Sequence, residues 1–490
     1  MKTKSNRSLF KVILLGILIQ LVTLQVTIAQ TKAEKIDQLM RLYSEYDQFN
    51  GTVLVAEQGK IIYKKGFGMA NMEWNIPNQP DTKLRLGSVS KQFTALLILQ
   101  LMEEGKLKLD VPITTYLPNY PKANGDRITI HHLITHTAGI PNYTSFSNFM
   151  KENSRDHYSP EEFIKVFADK SLEFNPGEKF AYSNSGYFVL GYIIEQVTGK
   201  TYEQCLQERV FEPLNMNNSG YDNSAVILKN RASGYEKNGQ SYVNASFLDM
   251  SIPYAAGSLY STVEDLYLWD QALYTDKLLS AKSRELLFAP HISTGAAHYG
   301  YGWGVFELPT DNPAKKLKVV EHTGGINGFT TIISRGLSDK SLIVLLNNTG
   351  SVGLSTISKA IRAILYDKPY FMPKKSLASV LLVAYNEKGI EAGTKKYEEL
   401  KNSESYDFDE GDMNAVGYQL LQLGKIKEAI AIFKLNVAKF PESGNAYDSL
   451  GEAYLSSGDN ELALFNYKKS VALDPSNENG KKVIEELLKK

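Results

Sequence analysis

Two side chains in "RLGSVSKQFTALLILQL", residues 85–101, could do chemistry together: Ser88 and Lys91 stand three apart at the start of an apolar run. On a helix, residues i and i+3 face the same way, so this spacing brings an amine within reach of a hydroxyl. A serine hydroxyl is a weak nucleophile until a base takes its proton, and a lysine can serve as that base only while neutral. Lowering a lysine pKa by about 3 units corresponds to about 4 kcal/mol of differential interaction. Burial and the positive N-terminal end of a helix both push that way. The pattern alone is cheap, because about two S-x-x-K matches are expected by chance in a chain this long. A second one, Ser8 with Lys11, does occur.

Two further stretches add specificity. In "FAYSNSGYFVLG", Tyr182, Ser183 and Asn184 follow a Pro-Gly turn and precede an apolar helical pattern. In "EHTGGINGFTT", His322, Thr323, Gly324 and Gly325 lie on an expected strand. Taken in order, S-x-x-K, Y-x-N and H-T-G resemble the serine β-lactamase and penicillin-binding-protein superfamily. Within it, the chain is similar to the group of class C β-lactamases, D-alanyl-D-alanine carboxypeptidases, D-aminopeptidases and esterases. The resemblance covers residues 36–365, and "ITIHHLITHTAGIP", "AAGSLYSTVEDL" and "YGWG" belong to it.

The resemblance implies a β-lactamase-like α/β (α+β) fold, an antiparallel sheet with flanking helices plus a helical domain. It makes Ser88 the nucleophile, with Lys91 and Tyr182 as proton carriers, and leaves open which of the two is the base. Asn184 would orient the substrate amide or Lys91 itself, and His322, Thr323 and Gly324 would line the substrate. Backbone N–H groups of Ser88 and Gly325 would form the oxyanion hole, where losing one donor costs about 10²–10³ in rate. The implied substrate is a small peptide, a β-lactam or an ester, with D-alanyl peptides first, as for a carboxypeptidase or D-aminopeptidase. No metal and no organic cofactor is implied. An esterase or β-lactamase of the same fold, and a non-catalytic protein holding a cell-wall fragment, are the alternatives.

The third motif departs from a common form. Many lactamases carry Lys where this chain has His322, and that cation holds a substrate carboxylate. A histidine of ordinary pKa near 6.5 is mostly neutral at pH 7. The substitution therefore tilts the reading toward peptidases. It also predicts that acylation by a carboxylate-bearing substrate weakens as the pH rises from 5.5 to 8.

Other chemistry-bearing residues read as structural. His131, His132 and His136 invite a metal, yet no carboxylate follows at ligand spacing. Cys205 is the only cysteine, which excludes an intramolecular disulfide, and its helical pattern suggests a quiet core thiol. "DFDEGD", residues 407–412, reads as a helix-entry loop. Trp303 packs beneath the His322 strand or edges the cleft.

The elements that must position these residues follow from periodicity. Residues 50–66 alternate around Glu57-Gln58-Gly59 as a hairpin. A helix is expected from Leu84, with Gly105 as its stop, and others around 160–170, 185–198 and 263–274. Ser261 or Thr262 would cap the last of these. Strands return from Tyr299 to Asn348, so the sheet should join the two ends of the domain.

At 490 residues the chain calls for two or more domains, and 54 basic against 54 acidic residues speak against nucleic acid or anionic membrane as partner. Residues 1–29 combine a basic flank, an apolar core and small residues at a cleavage position, the pattern of a signal peptide. The mature protein is therefore expected to be exported, to the periplasm or the medium, with no transmembrane segment after cleavage. Residues 366–375 read as a linker. Beyond it, Gly417, Gly424, Ala429, Phe433 and Pro441 recur 34 positions later as Gly451, Gly458, Ala463, Tyr467 and Pro475. That period marks tetratricopeptide repeats, giving an all-α domain at 376–490 whose residues 376–405 form a degenerate first unit. Its groove would present Asn414, Tyr418, Leu421, Asp448, Glu452 and Leu455, which lack the basic residues that clamp an anionic peptide. A protein-partner surface and a passive prop are both open.

Overall fold

The computed structural model describes residues 30–147, 149–238, 241–295, 297–310, 315–350 and 352–489, so the signal-peptide reading at 1–29 lies outside the described residues. The strands that matter are β1 (Gly51–Glu57), β2 (Lys60–Phe67), β3 (Ile292–Ser293), β4 (His298–Tyr299), β5 (Gly304–Pro309), β6 (Lys316–Ile326), β7 (Phe329–Gly336) and β8 (Ser341–Asn347). They form one antiparallel sheet in the order β3-β4-β5-β6-β7-β8-β1-β2. The first and last parts of the domain meet where β1 pairs with β8, from Gly51 opposite Asn347 to Ala56 opposite Leu342. Gln58 and Gly59 turn the β1–β2 hairpin with φ of 52° and 73°, the left-handed region that glycine enters freely.

Both faces of the sheet are covered, which is why β8 reads "SLIVLLN" with little alternation. Leu54, Ala56, Leu342, Val344 and Leu346 face a helical core, while Val53, Val55, Ile343 and Leu345 face the other side. Five helices complete these layers: α1 (Lys32–Glu45), α2 (Lys91–Glu103), α3 (Asn184–Thr198), α4 (Val263–Ala272) and α5 (Leu354–Leu365). α1 and α5 cover the second face through Ile36, Leu39, Ile357 and Ile361. α2 is buried nearly all round, its Phe93 stacked on Trp269 of α4 at 4.2 Å. Thr262 caps α4 by accepting the Asp265 N–H, settling which of the two expected caps is used.

The helix expected from Leu84 starts later. Leu84–Arg85 is a short strand, Gly87–Ser90 is a 3-10 turn, and α2 begins at Lys91. Gly87 explains the delay: its φ is +53°, and a Cβ there would lie 2.9 Å from the Gly325 backbone nitrogen of β6. The chain is pressed against a strand before it can wind into a helix.

After residue 376 the chain is helical apart from a short strand at Tyr406–Asp407: α6 (Leu377–Leu400), α7 (Glu410–Gln422), α8 (Ile426–Lys439), α9 (Gly444–Ser457), α10 (Asn460–Leu473) and α11 (Glu478–Leu488). These helices build their own apolar core around Leu381, Leu420, Phe433, Leu450 and Tyr467. The 34-residue spacing has a packing counterpart, because Gly417 lets α7 close on the Phe433 ring and Gly451 does the same for α9 on Tyr467. α6 breaks at Gly389, φ 79°, into two shorter helices. Asp409 caps α7 by accepting the Asp412 N–H, so the "DFDEGD" stretch is a helix entry. Among the described residues no helix is long and apolar enough to cross a membrane.

Candidate active site

Lys91 is fully buried at the first position of α2, and its Nζ lies 3.1 Å from Ser88 Oγ. It also reaches Asn184 Oδ1 at 2.8 Å and the Ala256 carbonyl oxygen at 2.9 Å. Burial drives its pKa well below the ordinary lysine value. Asn184 opens α3, where its N–H donates to Asn142 Oδ1 at 3.1 Å and its Nδ2 to Thr144 Oγ1 at 3.4 Å. The amide oxygen is the end that faces the lysine, where it accepts an N–H.

The second and third motifs close on the same cavity. The Tyr182 ring centroid is 4.8 Å from Lys91 Nζ and 6.3 Å from the His322 ring. Tyr182 is 37% exposed, and Ser88 lies near its hydroxyl. The protein around the phenol raises its pKa, a rise that the Ser88 contact partly offsets. Side chains at 88, 91, 182, 184 and 322 are thus brought together from three separate stretches of the sequence.

Gly324 and Gly325 do different things. A Cβ on Gly324 would fall well inside contact distance of the Leu86 carbonyl, while a Cβ on Gly325 would meet nothing within 4 Å. The Leu86 carbonyl is itself anchored by Thr331 Oγ1 at 2.7 Å. β6 can therefore run flush against the turn carrying Ser88, which puts the Gly325 N–H beside it. Thr323 is exposed on the same strand.

His322 departs from the ordinary titration expected above. It is 8% exposed, and burial, reinforced by Lys91 nearby, lowers its pKa to about 4. It gains a proton only as the pH falls through that value, so the imidazole is neutral from pH 5.5 to 8. The expected weakening across that window is corrected accordingly. For matched substrates with and without a terminal carboxylate, the ratio of kcat/KM should be flat from pH 5.5 to 8. Taking a ratio cancels the titration of Lys91, which both substrates share. A ratio falling severalfold over the window would show that His322 titrates normally.

One contributor left no sequence signal. The Ala256 carbonyl is a backbone group, and any residue could supply it. Gly302, φ +76°, lets the "YGWG" loop sit on the start of α2, where a Cβ would be 2.8 Å from the Lys91 carbonyl. Trp303 is fully buried beside Phe288 and Arg335, which excludes the cleft-edge position. The three histidines have separate partners: His131 Nδ1 meets Tyr301 at 2.9 Å, His132 Nδ1 accepts the Thr129 N–H at 3.2 Å, and His136 Nδ1 accepts the Ser183 N–H at 3.1 Å. Cys205 is buried, and burial raises its thiol pKa, as suits an inert core group.

Residues 34–365 match the model of the Beta-lactamase family. The chain is 32% identical over 364 residues to a penicillin-binding protein of Bacillus subtilis (strain 168), covering 71% of this chain and 79% of that one. It is 29% identical over 350 residues to the teichoic acid D-alanine hydrolase of Staphylococcus aureus, covering 69% and 79%. The crystal structure of a penicillin binding protein from Bacillus halodurans superposes with a TM-score of 0.60 at 29% identity, over 66% of this chain and 98% of that one. With a family match over most of its length and these relatives, the chain belongs to the Beta-lactamase family and is a serine hydrolase of its penicillin-binding-protein-like branch.

Proposed function

We propose that the protein is an exported hydrolase that forms an acyl-enzyme on Ser88 and cleaves amide or ester bonds at D-alanyl groups of cell-wall type. The observation that carries this reading is the set of partners around Lys91. A neutral amine has two N–H donors and one lone pair. The Asn184 Oδ1 and Ala256 carbonyl oxygens can only accept, so they take the two N–H groups. The lone pair is left toward the Ser88 hydroxyl, the one partner able to donate.

In this mechanism Lys91 takes the Ser88 proton as Oγ attacks the carbonyl carbon, and the N–H groups of Ser88 and Gly325 hold the oxyanion. Tyr182, kept protonated by its raised pKa, gives its proton to the leaving group as the intermediate collapses. The Lys91 ammonium then reprotonates the phenolate. Water releases the acyl group through the same steps in reverse. The opposed shifts of lysine and tyrosine are what divides the roles of base and acid between them.

Two relatives named for penicillin binding and for teichoic acid D-alanine hydrolysis support a D-alanyl substrate. Export rests on the pattern of residues 1–29. The helical region at 376–490 is proposed as tetratricopeptide repeats behind a hydrolase domain at 36–365, available to a protein partner. Labelling with a fluorescent penicillin and a fluorophosphonate tests the central claim. At least one should label the wild type covalently, and Ser88→Ala should abolish that label. Labelling that survives in Ser88→Ala overturns the proposal. Turnover of D,D-dipeptides, D-alanyl esters and a chromogenic cephalosporin then ranks the substrate classes.

A further inference from the structure

His322 already uses both of its ring nitrogens. Nδ1 is 2.6 Å from the Thr323 carbonyl oxygen, which can only accept, so Nδ1 carries the proton. Nε2, 2.9 Å from the Tyr299 hydroxyl, must then accept from it. The logic extends one residue further. His136 Nδ1 accepts the Ser183 N–H, so His136 Nε2 carries a hydrogen and points it at the Tyr299 oxygen, 3.3 Å away. Every proton in this chain has one direction, from Ser183 through His136 and Tyr299 to His322 and the Thr323 carbonyl.

We propose that Tyr299 and His136 are positioning residues that keep both ring nitrogens of His322 occupied, so that the site has no cationic clamp for a carboxylate beside the scissile bond and does not require one. The proposal rests on the acyl-enzyme reading above and narrows its substrate class. His136 and Tyr299 are 2% and 5% exposed, so water does not compete for these bonds. His136 holds φ at 58°, a conformation costly for a residue with a Cβ and retained where the surroundings enforce it. The Tyr182 ring lies against the His136 ring at 4.2 Å, which ties the second motif to the same chain.

Charging His322 would break the pattern. Nε2 would become a donor facing a Tyr299 oxygen that already receives the His136 hydrogen, and the Tyr299 O–H would have to turn elsewhere. The Tyr187 hydroxyl adjoins Tyr299 and is the available acceptor, its own hydrogen being directed at the Ile134 carbonyl at 2.9 Å. The remaining titratable groups facing His322 are Lys91 and Tyr182, and neither offers a negative charge at neutral pH. A substrate carboxylate therefore meets a neutral, occupied imidazole.

The test compares D-alanyl-D-alanine substrates ending in a free carboxylate and in the methylamide. The wild type should use them within about threefold of each other. Tyr299→Phe removes the hydrogen bond that favours the neutral ring, so Nε2 can take a proton and donate it to a carboxylate; the ratio should shift toward the carboxylate at pH 5.5, and less at pH 8. His322→Lys should show the same preference at both pH values. A wild type that already favours the carboxylate tenfold, or a folded Tyr299→Phe with an unchanged ratio, overturns the proposal. If neither substrate turns over while Ser88 still labels, the D-alanyl reading fails and the ring itself decides. Nitrogen NMR of His322 at pH 6 should show a neutral, Nδ1-protonated imidazole, and a charged or Nε2-protonated ring refutes the inference.

Discussion

Lys91→Met should lower kcat by about 10²–10⁴-fold toward amides and activated esters alike, the range for removing a general base. Methionine fills nearly the same buried volume without an amine, so the change removes the lone pair and leaves the helix start packed. It also leaves the Asn184 and Ala256 oxygens short of a donor. Each such buried acceptor costs about 1–3 kcal/mol, so the melting temperature should fall by a modest, measurable amount while the near-ultraviolet circular dichroism stays native. The pH profile carries a second signature. In the proposed mechanism the base form of Lys91 is the active one, so wild-type kcat/KM should fall as the pH drops through the lowered lysine pKa. Residual activity in Lys91→Met should lack that limb.

Tyr182→Phe separates the two proton carriers. If the phenol delivers a proton to the leaving group, its loss should damage amide hydrolysis far more than hydrolysis of a p-nitrophenyl ester, whose leaving group needs no proton. Lys91→Met should show no such selectivity, because both substrates need the serine deprotonated. A Lys91→Met enzyme that keeps more than a tenth of its ester activity would move the base role to Tyr182.

The features that could be read in advance share one property: they are set by side chains at fixed spacing. Ser88 and Lys91 are one turn apart on either a 3-10 or an α-helical path, so their meeting did not depend on where the helix starts. The β1–β2 hairpin was legible because Gln58 and Gly59 fall between two apolar runs, and the union of β1 with β8 because strands stand at both ends of the domain. What escaped was fixed by distant partners. Nothing in "EHTGG" shows that His322 will be buried beside Tyr299, or that Tyr299 will be held by a histidine at 136, so an ordinary imidazole pKa was the only available assumption. The delayed start of α2 escaped for the same reason: Gly87 adopts a positive φ because Gly325, more than 230 positions away, lies against it. Backbone donors and acceptors, such as the Ala256 carbonyl, carry no residue type to be read.

The glycine pair in the third motif turns that close approach into a sharp test. Gly324→Ala puts a methyl group into the Leu86 carbonyl and the Thr331 hydroxyl, both fixed by their mutual hydrogen bond. Neither is the free end of a flexible side chain, so β6 must move away from the turn that carries Ser88. Overpacking of this kind costs about 1–3 kcal/mol of stability. Displacing the Gly325 N–H from the developing oxyanion should cost about 10²–10³ in kcat as well. Gly325→Ala is the control from the same strand. Its Cβ enters open space and its N–H stays in place, so stability should hold within about 0.5 kcal/mol and small substrates should still acylate Ser88. Equal losses in the two variants would mean that the strand is not held by the Leu86 contact and that the oxyanion is stabilised elsewhere. A loss confined to Gly324→Ala would tie the rate to the distance between one strand and one turn, which is the feature that Gly87 and Gly324 both lack a side chain to allow.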